Sequence, residues 1–138
     1  MTLYLADTSA WHRSGATPRV ADRWETLLAE DELTLCAPIK LEILYSARGG
    51  DEYGMLAGIL DLLPELPLDE RASSAARRAQ ARLAERSQHR SPRTIDLLIA
   101  AVAEVHGAVL LHYDRHFDAI ARATGQPVEW LARRGSLD

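Results

Sequence analysis

Residues 93–117, R-T-I-D-L-L-I-A-A-V-A-E-V-H-G-A-V-L-L-H-Y-D-R-H-F, set the reading of the whole chain. The segment begins as an apolar helix with Asp96 near its start and stops at Gly107. It resumes as a hydrophobic strand from Ala108 to His112 and then delivers a second acid, Asp114. A carboxylate among Ile95, Leu97, Leu98 and Ile99 is costly to desolvate unless a positive or hydrogen-bonding group answers it.

Working outward, the same alternation recurs upstream. Thr2 to Ala6 forms an apolar strand that ends at Asp7-Thr8-Ser9. Thr17-Pro18 is a cap and first-turn pair for a helix carrying Val20, Trp24, Leu27 and Leu28. Leu33 to Ala37 is a second strand, and Pro38 opens a helix that contains Glu42 and stops at Gly49-Gly50. Asp51 to Leu63 is helical, with Met55, Leu56, Ile59, Leu60 and Leu63 at helical spacing as core or as a dimer surface. Leu66 to Leu68 is a short strand that Pro67 confines to an edge. Glu70 to Arg86 is an alanine-rich basic helix, and Ser87 to Pro92 a polar loop. Downstream lie a short helix holding Phe117 and Ile120, a last strand around Val128 to Leu131, and a polar tail. Strands separated by helices, at connections too long for hairpins, predict an α/β fold: one domain over residues 1–138, with a parallel central sheet flanked by helices on both faces.

The composition agrees with one globular domain: 138 residues, 47% hydrophobic and 26% charged. No apolar run reaches bilayer length and the N-terminus lacks a signal-peptide layout, so the expected location is cytoplasmic, with no membrane partner. The one cysteine, Cys36, excludes an internal disulfide and a cysteine-based zinc site, and its apolar surroundings suit a buried, inert thiol. A net charge of −4 argues against indiscriminate nucleic-acid binding, yet seven arginines and a single acid, Glu85, lie between Arg71 and Arg93. At about 100° per residue, Arg71, Arg78, Arg82 and Arg86 form a stripe beside the arc of Ala72, Ala76, Ala79 and Leu83. Arg78, Arg82, Arg86, Arg90 and Arg93 are candidate phosphate contacts; a solvated helix face accounts for the same residues.

Asp7 and Asp114 both follow strands, so they emerge at one edge of the sheet if those strands are parallel neighbours. Asp96 begins the helix leading into the second of these strands and is directed to the same edge, and Glu42 joins if its helix leans across. Each acid alone is also explained as a turn former or helix cap. Together they repel one another, and a divalent cation relieves the conflict. Oxygen-only ligands favour a hard ion, Mg²⁺ or Mn²⁺, which polarises a phosphodiester and acidifies an attacking water.

These residues resemble a known family. Asp7-Thr8-Ser9 after the first strand, Glu42 in a helix opened by Pro38, the run Thr94-Ile95-Asp96-Leu97-Leu98-Ile99-Ala100-Ala101, and Leu110-Leu111 before Asp114-Arg115-His116-Phe117 look like the PIN domain of VapC toxins from bacterial toxin–antitoxin pairs. The likeness covers essentially the whole chain and rests on the order and spacing of motifs that are each weak alone. It implies a metal-dependent endoribonuclease acting on structured RNA such as transfer or ribosomal RNA. By position, Asp7, Glu42, Asp96 and Asp114 match the acidic quartet, with Asp7, Asp96 and Asp114 as ligands of Mg²⁺ or Mn²⁺ and Glu42 as a further ligand or the group orienting the nucleophile. Ser9 matches the small hydroxyl that supports the first acid, and Thr8, His112 and Asp118 are further supporting candidates, Asp118 peripheral and solvated. His112 departs from the family, which often carries threonine two residues before the last acid; it modifies the site or packs behind it as a satisfied structural histidine. The resemblance also implies a VapB-like antitoxin whose C-terminal segment covers the acidic groove, and a homodimer, with a heterotetramer or larger assembly when the antitoxin is bound.

Two rivals place acids at parallel strand ends without nuclease chemistry. A phosphoacceptor receiver domain wants a late lysine, and the only lysine here is Lys40. A haloacid-dehalogenase-like phosphatase wants an acid where Ser9 stands. A non-catalytic PIN-like binding module would have lost the acids, and all four are present.

Overall fold

The computed structural model describes residues 2–138. Four strands, β1 (Tyr4–Ala6), β2 (Leu33–Thr34), β3 (Val109–His112) and β4 (Val128–Trp130), form one sheet in the order β2-β1-β3-β4. Every pairing is parallel, with Leu5 opposite Leu110 and Ala6 opposite Leu111. The chain first winds from β1 to β2 on one side, then returns through four helices to β3 on the other. The order therefore reverses at β1, and the β1–β3 crevice at the carboxyl ends is the place where such sheets keep their sites.

Among the described residues seven helices connect the strands: α1 (Thr8–Trp11), α2 (Pro18–Ala29), α3 (Ala37–Tyr45), α4 (Gly50–Leu60), α5 (Glu70–Glu85), α6 (Thr94–Val105) and α7 (His116–Thr124). Period-2 alternation divides the strand side chains between two cores. Leu5 and Leu110 join the larger core with Ile39, Leu83, Ile99, Val102 and Phe117 from α3, α5, α6 and α7. Ala6 and Leu111 point the other way, onto Val20, Trp24 and Leu27 of α2. Along α5 the buried residues are Ala72, Ala75, Ala76, Ala79 and Leu83; this small-residue face lets α5 lie close to α6, itself lined by Ala100, Ala101 and Ala103.

The elements agree in kind and order with the sequence reading, with local differences. Asp7 caps a one-turn helix, α1, that hydrophobic periodicity is too short to reveal. Leu66–Leu68 is not a strand: pairing is limited to one parallel bridge, Leu35 with Glu65, closed by Leu66 N–H to Leu35 O at 2.7 Å. Pro64 and Pro67 bracket the segment and remove the donors a longer ladder needs. On α4 only Leu60 is buried, while Met55 and Ile59 are exposed, so much of that apolar stripe faces outward. Cys36 is buried as expected, and burial pushes its thiol up to about 12, which keeps it unreactive. No helix of the described residues is long and apolar enough to cross a membrane.

Candidate active site

Asp7 leaves the end of β1, is 2% exposed, and folds back to cap α1. Its Oδ2 accepts the Ser9 N–H at 2.9 Å and the Ser9 hydroxyl at 2.6 Å. The Ser9 oxygen in turn accepts the Tyr113 N–H at 2.9 Å, so one hydroxyl ties the end of β1 to the end of β3. Asp7 Oδ1 is buried with no partner among the described residues. Desolvation pushes the Asp7 carboxyl up to about 6, the charges of Asp96 and Glu42 add to the rise, and the Ser9 bonds oppose it.

Asp96 sits at the third position of α6 and is fully buried. Its Oδ2 accepts the Arg93 backbone N–H at 3.0 Å, half of a capping box that fixes the carboxylate at the helix start. The Arg93 side chain folds onto the same acid, with Nη2 to Asp96 Oδ1 at 2.9 Å and Nε to Oδ2 at 3.3 Å. The other prong, Nη1, reaches Glu42 Oε2 at 2.9 Å. Glu42, on α3, also accepts the Thr8 hydroxyl through Oε1 at 3.0 Å. The two carboxylates hold the guanidinium pKa well above its ordinary value, so Arg93 is always charged. The group that answers buried Asp96 is thus Arg93, three residues upstream.

Asp114 follows β3 after Tyr113, half-buried, with Oδ1 accepting the His116 N–H at 2.9 Å. His112 is fully buried behind it, and its Nδ1 accepts the Asp114 N–H at 3.1 Å. That bond leaves the proton on Nε2, which has no hydrogen-bond partner among the described residues and lies 4.0 Å from Asp118 Oδ1. Burial pushes His112 down to about 4, against the smaller opposing pull of Asp118 and Asp114, so it is neutral at pH 7. It packs against Phe117 and Trp130, with ring centroids 5.2 and 4.9 Å away. His112 therefore positions Asp114 from behind, with one ring nitrogen left unsatisfied. Asp118 is half-buried and accepts the Trp130 indole N–H at 3.1 Å, where a solvated position was expected.

The fold thus brings Asp7, Glu42 and Asp96 into one electrostatic group, with Asp114 beside Ser9 at the adjoining strand end. As they stand, no three carboxylates, histidines or cysteines among the described residues are grouped closely enough to hold an ion. The donor chemistry nonetheless fits a hard divalent ion: all donors are carboxylate oxygens, and buried Asp7 Oδ1 lacks any other partner.

A polar depression of about 390 Å³ adjoins Asp114, lined also by Ser9, Tyr113, Trp130, Asp138 and three arginines, Arg13, Arg115 and Arg134. Arg13 stacks over Tyr113 at 4.7 Å and Arg134 over Trp130 at 5.8 Å. Arg115 and Arg134 continue into a second depression with His116 and Arg122. Sequence reading passed over these arginines; the signal available was Arg115, directly after Asp114. Of the arginines it did select, Arg78 and Arg82 are exposed on α5, Arg86 is exposed at its C-cap, Arg90 is exposed in the following loop, and Arg93 lies among the acids. A larger hollow of about 690 Å³, between α2 and the C-terminal tail, has none of the acids in its lining. Lys40 is engaged by Asp61 and Glu65 at 3.2 and 2.9 Å, unlike the phosphoryl-neutralising lysine a receiver domain requires.

Comparison with known proteins places this geometry in a family. The PIN domain family model matches residues 4–123. Ribonuclease VapC18 of Mycobacterium tuberculosis is 42% identical over 137 residues, covering 98% of this chain and 99% of the relative. Ribonuclease VapC51 of the same organism is 41% identical over 138 residues, covering 98% and 97%. Among solved structures, the DNA-bound VapBC of Salmonella typhimurium superposes with a TM-score of 0.78 at 19% identity, covering 96% of this chain and all of that one, a likeness of fold. With the family model spanning most of the chain and these relatives matching it nearly end to end, the chain belongs to the PIN-domain family, in its VapC ribonuclease branch.

Proposed function

We propose that this chain is the toxin of a toxin–antitoxin pair and hydrolyses phosphodiester bonds in structured RNA, transfer or ribosomal, with Mg²⁺ or Mn²⁺ held by Asp7, Asp96 and Asp114. The observation that carries this reading is Asp7 Oδ1, a buried carboxylate oxygen without a partner, beside Asp96 and Glu42 at the switch point of a parallel sheet. An ion bound there supplies Lewis acidity toward the phosphate and a lowered pKa for an attacking water. The protein's own part is positional. Ser9 fixes Asp7, the α6 start fixes Asp96, and the His116 N–H and His112 fix Asp114 from two sides. Glu42, held through Oε1 by the Thr8 hydroxyl, would act through Oε2 as a further ligand of the ion or as the group that orients the water. Arg13, Arg115 and Arg134 seat backbone phosphates beside acids that would otherwise repel them, and Trp130 offers a base-stacking surface.

Solved structures of similar fold include toxin–antitoxin proteins, and an antitoxin covering this groove fits the same reading. Leu41, Tyr45, Met55, Ile59 and Leu62 are exposed on and beside α3 and α4, an apolar surface suited to a homodimer or antitoxin contact in the cytoplasm. The test is cleavage of total transfer and ribosomal RNA by the purified chain, with and without chelator and Mg²⁺ add-back. Asp96→Asn keeps the capping oxygen, so it should fold and yet lose cleavage by at least about a hundredfold. Undiminished, chelator-sensitive cleavage by that variant would remove Asp96 from the site.

A further inference from the structure

Each of the four acids has one oxygen committed to a local donor. Asp7 Oδ2 is held by Ser9, Glu42 Oε1 by the Thr8 hydroxyl, Asp96 Oδ2 by the Arg93 backbone N–H, and Asp114 Oδ1 by the His116 N–H. The second oxygens differ. Those of Glu42 and Asp96 share one guanidinium, Nη1 and Nη2 of Arg93, each at 2.9 Å, and that of Asp7 is buried and unpartnered beside them. Arg93 therefore occupies the two oxygens that a cation shared with Asp7 would need.

We propose that the Arg93 side chain is a displaceable internal counter-ion, which neutralises Glu42 and Asp96 in the metal-free chain and withdraws when a divalent cation takes the same oxygens. The inference rests on the reading of the acids as a divalent-ion site. Three features suit Arg93 to the task. Its side chain is 60% exposed, so solvent lies within reach of the withdrawn guanidinium. Its anchoring bond to Asp96 runs through the backbone N–H, which a side-chain rotation leaves intact. Its charge matches the buried one it covers, because fully buried Asp96 has no other cation within salt-bridge distance among the described residues. The helix start is thereby held together before the ion arrives. The cost is a weaker ion affinity, since binding must break three charge-assisted hydrogen bonds from the Arg93 side chain. The withdrawn guanidinium remains tethered next to the ion site, where a phosphate would meet it.

The test uses Mn²⁺ alone, without RNA, titrated calorimetrically into the full chain and into Arg93→Met, with thermal melting in chelator alongside. Arg93→Met should bind Mn²⁺ at least about tenfold more tightly than wild type and melt lower without metal, with a larger Mn²⁺-induced rise. Arg93→Lys, which keeps the charge but cannot bridge both carboxylates, should fall between the two. The ¹⁵Nε signal of Arg93 in the unmutated chain gives a reading independent of any folding defect: it should shift on addition of Mg²⁺. Wild-type binding of the metal with unchanged or weaker affinity in Arg93→Met, or an unmoved Arg93 signal at saturating Mg²⁺, would overturn the counter-ion role and leave the metal site standing. If none of the three chains bound Mn²⁺ or Mg²⁺, the metal-site reading would fall and this inference with it.

Discussion

Neutralising Asp7 should make the metal-free chain more stable, the reverse of the usual effect of altering a buried residue. In the folded chain the carboxyl is raised from 3.8 to about 6, mainly by burial, with Asp96 and Glu42 adding to the shift. About two pKa units at about 1.4 kcal/mol each put the cost of keeping Asp7 ionised near 3 kcal/mol. The sign follows from linkage. The contribution of a carboxyl raised on folding is fully present below 3.8, is lost as pH rises toward about 6, and stays lost above that. Asp7→Asn keeps an oxygen to accept both Ser9 bonds and puts an amide where Oδ1 is unpartnered. Some of the gain is offset by the imperfectly paired amide, so a net stabilisation of about 1–3 kcal/mol is expected near neutral pH. At about 3 °C per kcal/mol for a domain of this size, melting should rise by about 3–9 °C. Urea unfolding of both chains in chelator, from pH 4 to 8, measures the effect. The gap should be small at pH 4, open through pH 6, and close again for wild type when Mg²⁺ is added. A variant no more stable than wild type at pH 8 in chelator would refute the account of Asp7 as an uncompensated buried charge.

Two further variants report on the supports of the site. Ser9→Ala removes both the hydroxyl bond to Asp7 and the acceptor of the Tyr113 N–H, so it should cost about 1–3 kcal/mol in urea unfolding and raise the Asp7 carboxyl further; stability equal to wild type would show that the hydroxyl does not tie β1 to β3. His112→Phe acts over much the same pH range with the opposite sign: a histidine lowered from 6.5 to about 4 on folding withdraws up to about 3 kcal/mol as pH falls between those values. The variant should be slightly less stable at pH 7, where the Asp114 N–H loses its acceptor, and should lose less than wild type on acidification; an unchanged acid limb would contradict a neutral buried imidazole. Asp7 and His112 titrate in overlapping windows with opposite signs, so the wild-type profile between pH 4 and 6 should be flatter than either variant's.

The convergence of Asp7 and Asp114 was legible because it depends on backbone order alone: apolar strands 1 and 3, joined by crossovers, place their carboxyl ends together once they pair. Ser9 was legible for the same reason, being two residues beyond a strand end in a capping position. Periodicity also identified α5 and its alanine arc correctly. It overreached at Leu66–Leu68, where apolar residues around a proline packed without pairing, and it could not say which side of α4 faced out. The arginines were the harder case. Composition drew attention to the α5 stripe, whereas Arg13, Arg115 and Arg134 come from three separate segments and meet beside Asp114 only through the fold.

Arg93 shows why a sequence can pose a charge problem without revealing its solution. The cost of Asp96 among Ile95, Leu97 and Ile99 is local and visible, but the bridge that answers it requires α3 to lie against the start of α6, bringing Glu42 within reach of a residue 51 positions away. A single guanidinium then serves two carboxylates and leaves Asp7 out, so the cluster carries more negative charge than the protein neutralises. A fold selected only for stability would gain by removing one of these acids, as the Asp7→Asn prediction expresses in numbers. Retaining Asp7 unpartnered makes physical sense if the missing charge comes from outside, and a small hard cation is the species that all-carboxylate donors at a strand-end crevice best accommodate. On the proposed reading, stability and function meet at one oxygen atom, Asp7 Oδ1: what destabilises the metal-free chain is what would prepare it to bind an ion.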